Sequence, residues 1–352
     1  MSYTYLVTLQ PQDDFFFGGE YTFAKDDTRQ NEGSRYSALS TYFPQQSALL
    51  GMLRKTLLVQ NGNLTLHLRG EWVDSGKKGQ HNPNYEEAVR LVGKDSFSYE
   101  QEGDFGIIEA ISPLFLKRGE TSYIVDAKDK NYSPKRNTDI KMSLNGKVGV
   151  SLFMENFNPK EYSDEQLIGT DGSTISITEI FEEVQSVGIK KSHSSQTKED
   201  SLFQKRGYKL KDKALFAFYL TLKEPLKWKK AYVTLGADRS SFMMRLHQTK
   251  ESFNSTFAKL FEPKDLDRIV LHSETLVDKE SYNKALFIYG KRKSYRYLKD
   301  KNASRSKRYY LFERGSVIYT NDLEALSANL AKEHLQKVGI NHFTSIKGKA
   351  NV

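Results

Sequence analysis

Residues Tyr3 to Leu9 alternate β-forming side chains with others and predict an opening strand. A polar break from Gln10 to Asp14 leads into the run Phe15, Phe16, Phe17, Gly18, Gly19. Ala24 to Gly33 is polar with no period, the pattern of an exposed loop. The clearest helical pattern follows. Pro44 and Ser47 announce it, with Ser47 as the expected N-cap, Ala48 to Val59 as the body and Gly62 as the stop. At about 100° per residue, Leu49, Leu50, Leu53 and Leu57 share one side, while Ser47, Gly51 and Arg54, with Lys55 beside them, share the other. One face is expected to pack and the other is left free to bind.

Strand-like runs recur at Thr65 to Trp72, Ile107 to Leu116, Tyr123 to Val125 and Val148 to Phe153. A short helix is expected at Thr178 to Val187, and the small polar residues Gly169 to Ser173 form the best linker. The second half repeats the theme, with strands at Leu215 to Leu222, Ala231 to Leu235, Arg268 to Val277, Ala285 to Tyr289 and Val317 to Tyr319, and a helix at Glu251 to Phe261. A last helix, with Asn321 placed to cap it and Glu324 three residues on, runs through Leu323, Leu326 and Leu330 to a stop at Gly339. The pattern predicts the α+β class, as a duplicated sandwich.

At 352 residues the chain exceeds one average domain of roughly 100–200 residues, so two domains are expected. Hydrophobic content of 38% and aromatic content of 12% exclude the signature of a disordered chain. A net charge of +9 suits a polyanionic partner, because each neutralised phosphate releases counterions. The absence of cysteine excludes disulfides, thiolate zinc sites and thiol nucleophiles, and fits a reducing cytoplasm. The opening residues MSYTYLVTLQPQDD carry neither the basic region nor the long apolar region of a signal peptide, and no apolar run approaches the roughly 20 residues that span a bilayer, so no membrane partner is expected.

Catalytic candidates are few. The histidines at 67, 81, 193, 247, 272, 334 and 342 are scattered, with no HExxH and no i, i+4 pair, so neither metal nor cofactor is expected. Acid pairs at Asp13, Asp14 and at Asp26, Asp27 lack a second cluster of oxygen ligands and read as solvated loops. RNA-binding signals coincide better. Ser47, Gly51 and Arg54 place a hydroxyl, an open backbone and a guanidinium on one helix face near its N-terminus, which attracts anions. Val187 through Arg206 suggests a hairpin arm with a polar tip, on which Lys190, Lys191, Lys205 and Arg206 would neutralise phosphates. Between Lys284 and Arg314, nine basic residues from Lys291 to Arg308 interleave with Tyr295, Tyr297, Tyr309 and Tyr310, whose faces would stack on unpaired bases. From the residues alone, a ribonuclease using His193 or His342 as general acid or base, and a protein-interaction scaffold, both stay open.

The segments FFFGG, FPQQSALLGMLR, ISPLFLKRGETSYIV, VGIKKSHSSQTKEDSLFQ, RGSVIY and VGINHF, in this order, resemble the RAMP superfamily of CRISPR proteins. Within it the chain is most similar to the subunit that caps the 5′ end of the guide RNA in type III-B (Cmr) complexes, with a RAMP endoribonuclease that processes precursor crRNA, or the type III-A (Csm) counterpart, as the alternative. Two departures stand out: the family's proline-rich segment is reduced to SYIVDAKD, and the terminal loop has few glycines. The resemblance implies two ferredoxin-like (RRM-like, βαββαβ) domains with inserted loops, at residues 1–175 and 176–352, the second including a β-hairpin arm at about 187–206. It implies a non-catalytic subunit that binds the repeat-derived 5′ tag of the crRNA, meets target RNA indirectly, and docks the large polymerase/cyclase-type subunit and a backbone RAMP subunit. Ser47, Gly51, Arg54 and Lys55 would contact the tag; Gly188, Ile189, Lys190, Lys191, His193 and Arg206 would lie on the arm; Gly339, Asn341 and His342 would form the closing loop.

Overall fold

Strand β1 (Tyr3–Pro11) lies inside the largest sheet because its alternation lets both faces work: Tyr5, Val7 and Leu9 are buried, with Leu6 and Thr8 on the opposite face. The computed structural model describes residues 2–19, 21–24, 35–62, 85–134, 154–155, 165–191, 197–236, 238–297 and 306–349. The strands expected at Thr65 to Trp72 and Val148 to Phe153 lie outside these. The fold is α+β, with mostly antiparallel sheets and few helices.

Across the largest sheet the order is β10 (Thr174–Ser176), β9 (Gln166–Gly169), β6 (Thr121–Val125), β5 (Phe115–Arg118), β13 (Leu215–Leu222), β1, β15 (Ser240–Gln248) and β14 (Lys230–Leu235), and β4 (Ile108–Ile111) also pairs with β13. The run expected from Ile107 to Leu116 breaks between β4 and β5 at Pro113, which has no N–H for a ladder. Helix α1 (Gln46–Gln60) lies on the inner face and buries Leu49, Leu50, Leu53 and Leu57, each contributing roughly 1.5–3 kcal/mol. Its N-cap is Gln45, with no side-chain cap, and not the expected Ser47. Helix α2 (Tyr85–Val92) packs beside it.

A second sheet runs β11 (Phe181–Lys191), β12 (Thr197–Leu210), β3 (Arg35–Leu39), β2 (Tyr21–Ala24), with β12 and β3 parallel. The helix expected at Thr178 to Val187 is one turn, α3 (Ile177–Ile180), held by a Ser176 and Glu179 capping box; from Phe181 the chain is strand, because β12 supplies a hydrogen-bonded partner. β7 (Ser133–Pro134) pairs with β8 (Met154–Glu155). Gly169 to Ser173 is no linker but the tight turn joining β9 to β10, where the Gly172 N–H donates to the Gly169 carbonyl at 2.9 Å and Gly172 has φ +80°. The boundary expected between 175 and 176 therefore falls within β10, and strands from both sides of it interleave in the largest sheet.

Helix α4 (Phe253–Phe257), shorter than expected, packs Phe253 and Phe257 on the outer face against Phe115. Then β16 (Arg268–Leu271), α5 (Lys279–Lys284), β18 (Ala285–Tyr289), β21 (Val317–Thr320), α6 (Leu323–Leu330) and β22 (Phe343–Ile346) build a sheet of order β18-β21-β16-β22, so strand, helix, strand, strand, helix, strand returns as second, third, first, fourth. The order recurs in the large sheet as β5-β13-β1-β15, with α1 after the first strand and β14 in the later connection. The N-cap of α6 is Asp322, not Asn321: its carboxylate accepts from the Ala325 N–H at 3.1 Å. A small sheet β17 (Thr275–Leu276), β20 (Tyr309–Phe312), β19 (Arg292–Tyr295) and helix α7 (Glu333–Gln336) complete the chain. Among the described residues no helix is long and apolar enough to cross a membrane.

Two buried polar clusters tie the second unit to the first. Asp129, fully buried, accepts from Arg268 at 2.5 Å and from the Tyr319 hydroxyl, with the Lys264 ammonium 3.7 Å away. Arg314 grips Glu274 with two donors at 3.1 and 3.3 Å, donates to the Leu114 carbonyl at 2.6 Å, and lies 4.5 Å from the Phe43 ring centroid.

Candidate nucleic-acid interface

The Phe15 to Phe17 run roots the site. Phe15 and Phe17 join Phe216, Phe242 and Phe181 in one aromatic cluster, and Phe15 exchanges backbone hydrogen bonds of 2.8 and 3.0 Å with Tyr208 of β12. The β11–β12 arm thus stands on the core; it begins earlier than expected, at Phe181 opposite Leu210. Above this base the Lys205 ammonium lies 5.0 Å from the Phe16 ring centroid and pairs with Asp238. Arg206 lies 3.7 Å from Glu183, and its carbonyl accepts from the Ser40 N–H at 2.9 Å.

The outer face of α1 supplies the opposite wall. Gly51 is exposed, and a Cβ placed there would meet nothing within 4 Å. Ser47 is half-buried; Lys55 is exposed, its ammonium 3.4 Å from the Thr234 hydroxyl of β14. Together with Phe17, Pro44 and the Thr234 to Gly236 strand end, Gly51 and Lys55 line a groove of about 370 Å³. Gly236, at φ +91°, is required there, since a Cβ would sit 2.4 Å from the Phe16 carbonyl oxygen. That contact links the α1 groove to the arm base at Phe16 and Lys205. The local sequence signal for this corner is a glycine, Gly236, directly after the apolar run that ends at Leu235.

Arg54 does not face this groove. Its guanidinium donates to the carbonyls of Asp95 at 2.8 Å and Gly93 at 3.2 Å and lies 6.0 Å from the Phe105 centroid, so it closes the loop after α2. Burial lowers its pKa from the usual value, against the opposing fields of Asp95 and Asp104.

Gly339 meets α1 from its buried side. The Gln46 amide donates to the carbonyls of Gly339 at 3.2 Å and Ser112 at 3.3 Å, and at φ +80° a Cβ on Gly339 would come within 2.7 Å of both the amide nitrogen and the Ser112 oxygen. Asn341 is fully buried at φ +58°; its amide accepts from the Leu276 N–H at 2.8 Å and donates to the Leu330 carbonyl at 2.9 Å. The expectation that Asn341 contacts RNA gives way to a role inside the loop, which asparagine can serve because it tolerates the left-handed backbone. His342 binds the Gln336 carbonyl through Nε2 at 2.9 Å, and burial lowers its pKa while that hydrogen bond raises it.

Gly188 and Ile189 pair with Phe203 and Leu202, and the register shifts between Ile189 and Lys191. Lys190 and Lys191 continue the strand, and His193 lies outside the described residues. Three of the four stacking tyrosines are used internally: Tyr297 and Tyr309 join Phe97 and Tyr99 in a ring cluster, and Tyr295 packs against the core, where burial raises its pKa. Tyr310 stays 51% exposed, with Arg292 5.9 Å from its centroid. Lys293 pairs with Glu313 and Lys307 with Glu100, so part of the expected basic stretch is neutralised within the chain. Among the described residues no three His, Asp or Glu side chains gather to hold a metal.

The profile of the family described as CRISPR-associated protein (Cas_Cmr3) matches residues 7–137 and 153–286. No curated protein matches the sequence. Among solved structures, a chain in the cryo-EM structure of the type III-B Cmr-beta bound to cognate target RNA is similar over 97% of this chain and 96% of that chain, at TM-score 0.53 and 12% identity. A chain of the type III-B Cmr-beta bound to cognate target RNA and AMPPnP gives TM-score 0.51 at 11% identity, with the same coverage. At these identities the likeness is one of fold.

Proposed function

This chain belongs to the CRISPR-associated protein family Cas_Cmr3, and on that premise we propose that it is a non-catalytic, RNA-binding subunit of a cytoplasmic type III-B effector complex. In this reading it holds the repeat-derived 5′ tag of the crRNA, docks the large polymerase/cyclase-type subunit and an adjacent backbone RAMP subunit, and meets target RNA only through the guide. The repeated strand order, second, third, first, fourth, supports two ferredoxin-like halves with the arm inserted in the first sheet's connections.

One observation carries the proposal: the groove beside Gly51 has open backbone on α1, the ammonium of Lys55 on its rim, and the Lys205 base of the arm next to its floor. A glycine helix face lets a sugar-phosphate backbone come close, and two cations at its edge neutralise it. Lys205, paired with Asp238 in the free chain, would exchange that carboxylate for a phosphate.

The test is tag-RNA affinity of the purified chain at two salt concentrations. Lys55→Glu with Lys205→Glu removes two phosphate contacts and should flatten the slope of log K against log salt by about 1.4, at about 0.7 per contact for single strands. Unchanged affinity and slope would place the tag elsewhere.

A further inference from the structure

The largest sheet has a second face, and its cover is incomplete. Helix α4 shields the outer side at Phe115 and Tyr219, where Phe253 and Phe257 pack. Over β1, β15 and β14 that cover stops and leaves a groove of about 760 Å³, lined by Leu6, Thr8, Trp228, Lys229, Lys230, Arg245, Leu246 and His247. No carboxylate is among the lining side chains.

Strand register makes the charge placement explicit. Lys230 stands opposite Arg245, and Arg245 stands opposite Thr8, so two cations are neighbours on one sheet face. Like charges directly opposite each other destabilise a sheet, yet among the described residues neither takes part in an ion pair with an acid; Arg245 has only the Gln10 amide oxygen, at 2.9 Å. Lys229, Lys230, Arg245 and His247 are all exposed. Tyr232, two residues beyond Lys230 and hence on the same face of β14, is 75% exposed, opposite Met243. Folding does not explain an unpaired cation row beside a bare tyrosine; a polyanion with flat apolar groups does.

We propose that this outer face is a second binding surface for single-stranded RNA, separate from the groove at α1. Lys230 and Arg245 take phosphates, with Lys229 at the rim, while Tyr232 stacks on an unpaired base and the Trp228 side closes the groove. Charge favours a nucleic acid over an apolar protein surface, and an exposed aromatic on an antiparallel sheet offers a face that any base can use.

The probe is a fluorescein-labelled oligouridine of twelve nucleotides that carries no tag sequence, titrated against the full chain by anisotropy at two salt concentrations. Lys230→Glu with Arg245→Glu should weaken binding by at least about 10-fold and reduce the salt slope by about 1.4, and Tyr232→Ala should weaken it by about 5-fold or more. With 4-thiouridine in the probe, ultraviolet crosslinks should fall within residues 228–239. All substituted positions are exposed, so circular dichroism should be unchanged. Wild-type affinity and slope in the double variant, or crosslinks confined to α1 and the arm, would overturn the assignment. So would loss of a partner protein from that variant with oligouridine binding intact, which would make the face a protein dock.

Discussion

Replacing Asp129 by alanine tests how the two sheet units are joined. Asp129 is 0% exposed, and its carboxylate is the shared acceptor for Arg268, itself 3% exposed, and for the Tyr319 hydroxyl, with Lys264 nearby. Lys264 further donates to the Tyr132 carbonyl at 2.5 Å, so the loop that leaves the first sheet is held by the same group of charges. Removing the carboxylate leaves a guanidinium buried without its counter-charge, and breaking one partner of a buried pair costs about 3–5 kcal/mol. Against a total stability of about 5–15 kcal/mol, that is a large fraction. Urea unfolding followed by fluorescence should show the loss as a lower midpoint. Arg268→Met, which keeps volume and leaves Asp129 with Tyr319 and Lys264, should cost less than Asp129→Ala, and the double substitution less than the sum. A loss below about 1 kcal/mol for Asp129→Ala would refute the idea that this cluster carries the junction.

His272 is buried beside His342 and its pKa is pushed down to about 3, chiefly by burial, so the native chain keeps it neutral while the unfolded chain protonates near 6.5. Its contribution is complete above pH 6.5 and is lost as pH falls toward 3; between pH 6.5 and 5 about 2 kcal/mol disappears, and His272→Gln should remove that part of the acid sensitivity in unfolding curves. Gly339→Ala combines a left-handed backbone with contacts of 2.7 Å to Gln46 and Ser112, and should cost about 1–3 kcal/mol in the same assay. Gly51→Ala should do the reverse: its Cβ meets nothing within 4 Å, and alanine in a helix interior is favoured over glycine by about 1 kcal/mol.

Local pattern was legible wherever local chemistry decided the outcome. The period of Leu49, Leu50, Leu53 and Leu57 marked the buried side of α1, and the alternation from Tyr3 marked β1. Legibility stopped where a distant partner chose between alternatives. Phe181 to Lys191 became strand because β12 pairs with it along its length. Arg54 matched a phosphate contact by spacing, but the carbonyls of Gly93 and Asp95, some 40 residues away in sequence, took its donors. The tyrosines at 295, 297 and 309 looked free for stacking and are instead packed with the core and its rings. The motifs that carry the family resemblance proved partly architectural: Phe43, Gln46, Ser112, Leu114, Arg314 and Gly339 meet at the seam between the sheets.

The same position separates stability from function in one experiment. Gly51→Leu leaves the core untouched and fills the open side of the groove, so the folded chain should be at least as stable as the natural one. Its affinity for the crRNA 5′ tag, measured by fluorescence anisotropy, should nevertheless fall by about 10-fold or more, as expected when a backbone can no longer approach closely. Tag affinity equal to that of the natural chain, in a protein with undiminished stability, would contradict the assignment of this groove.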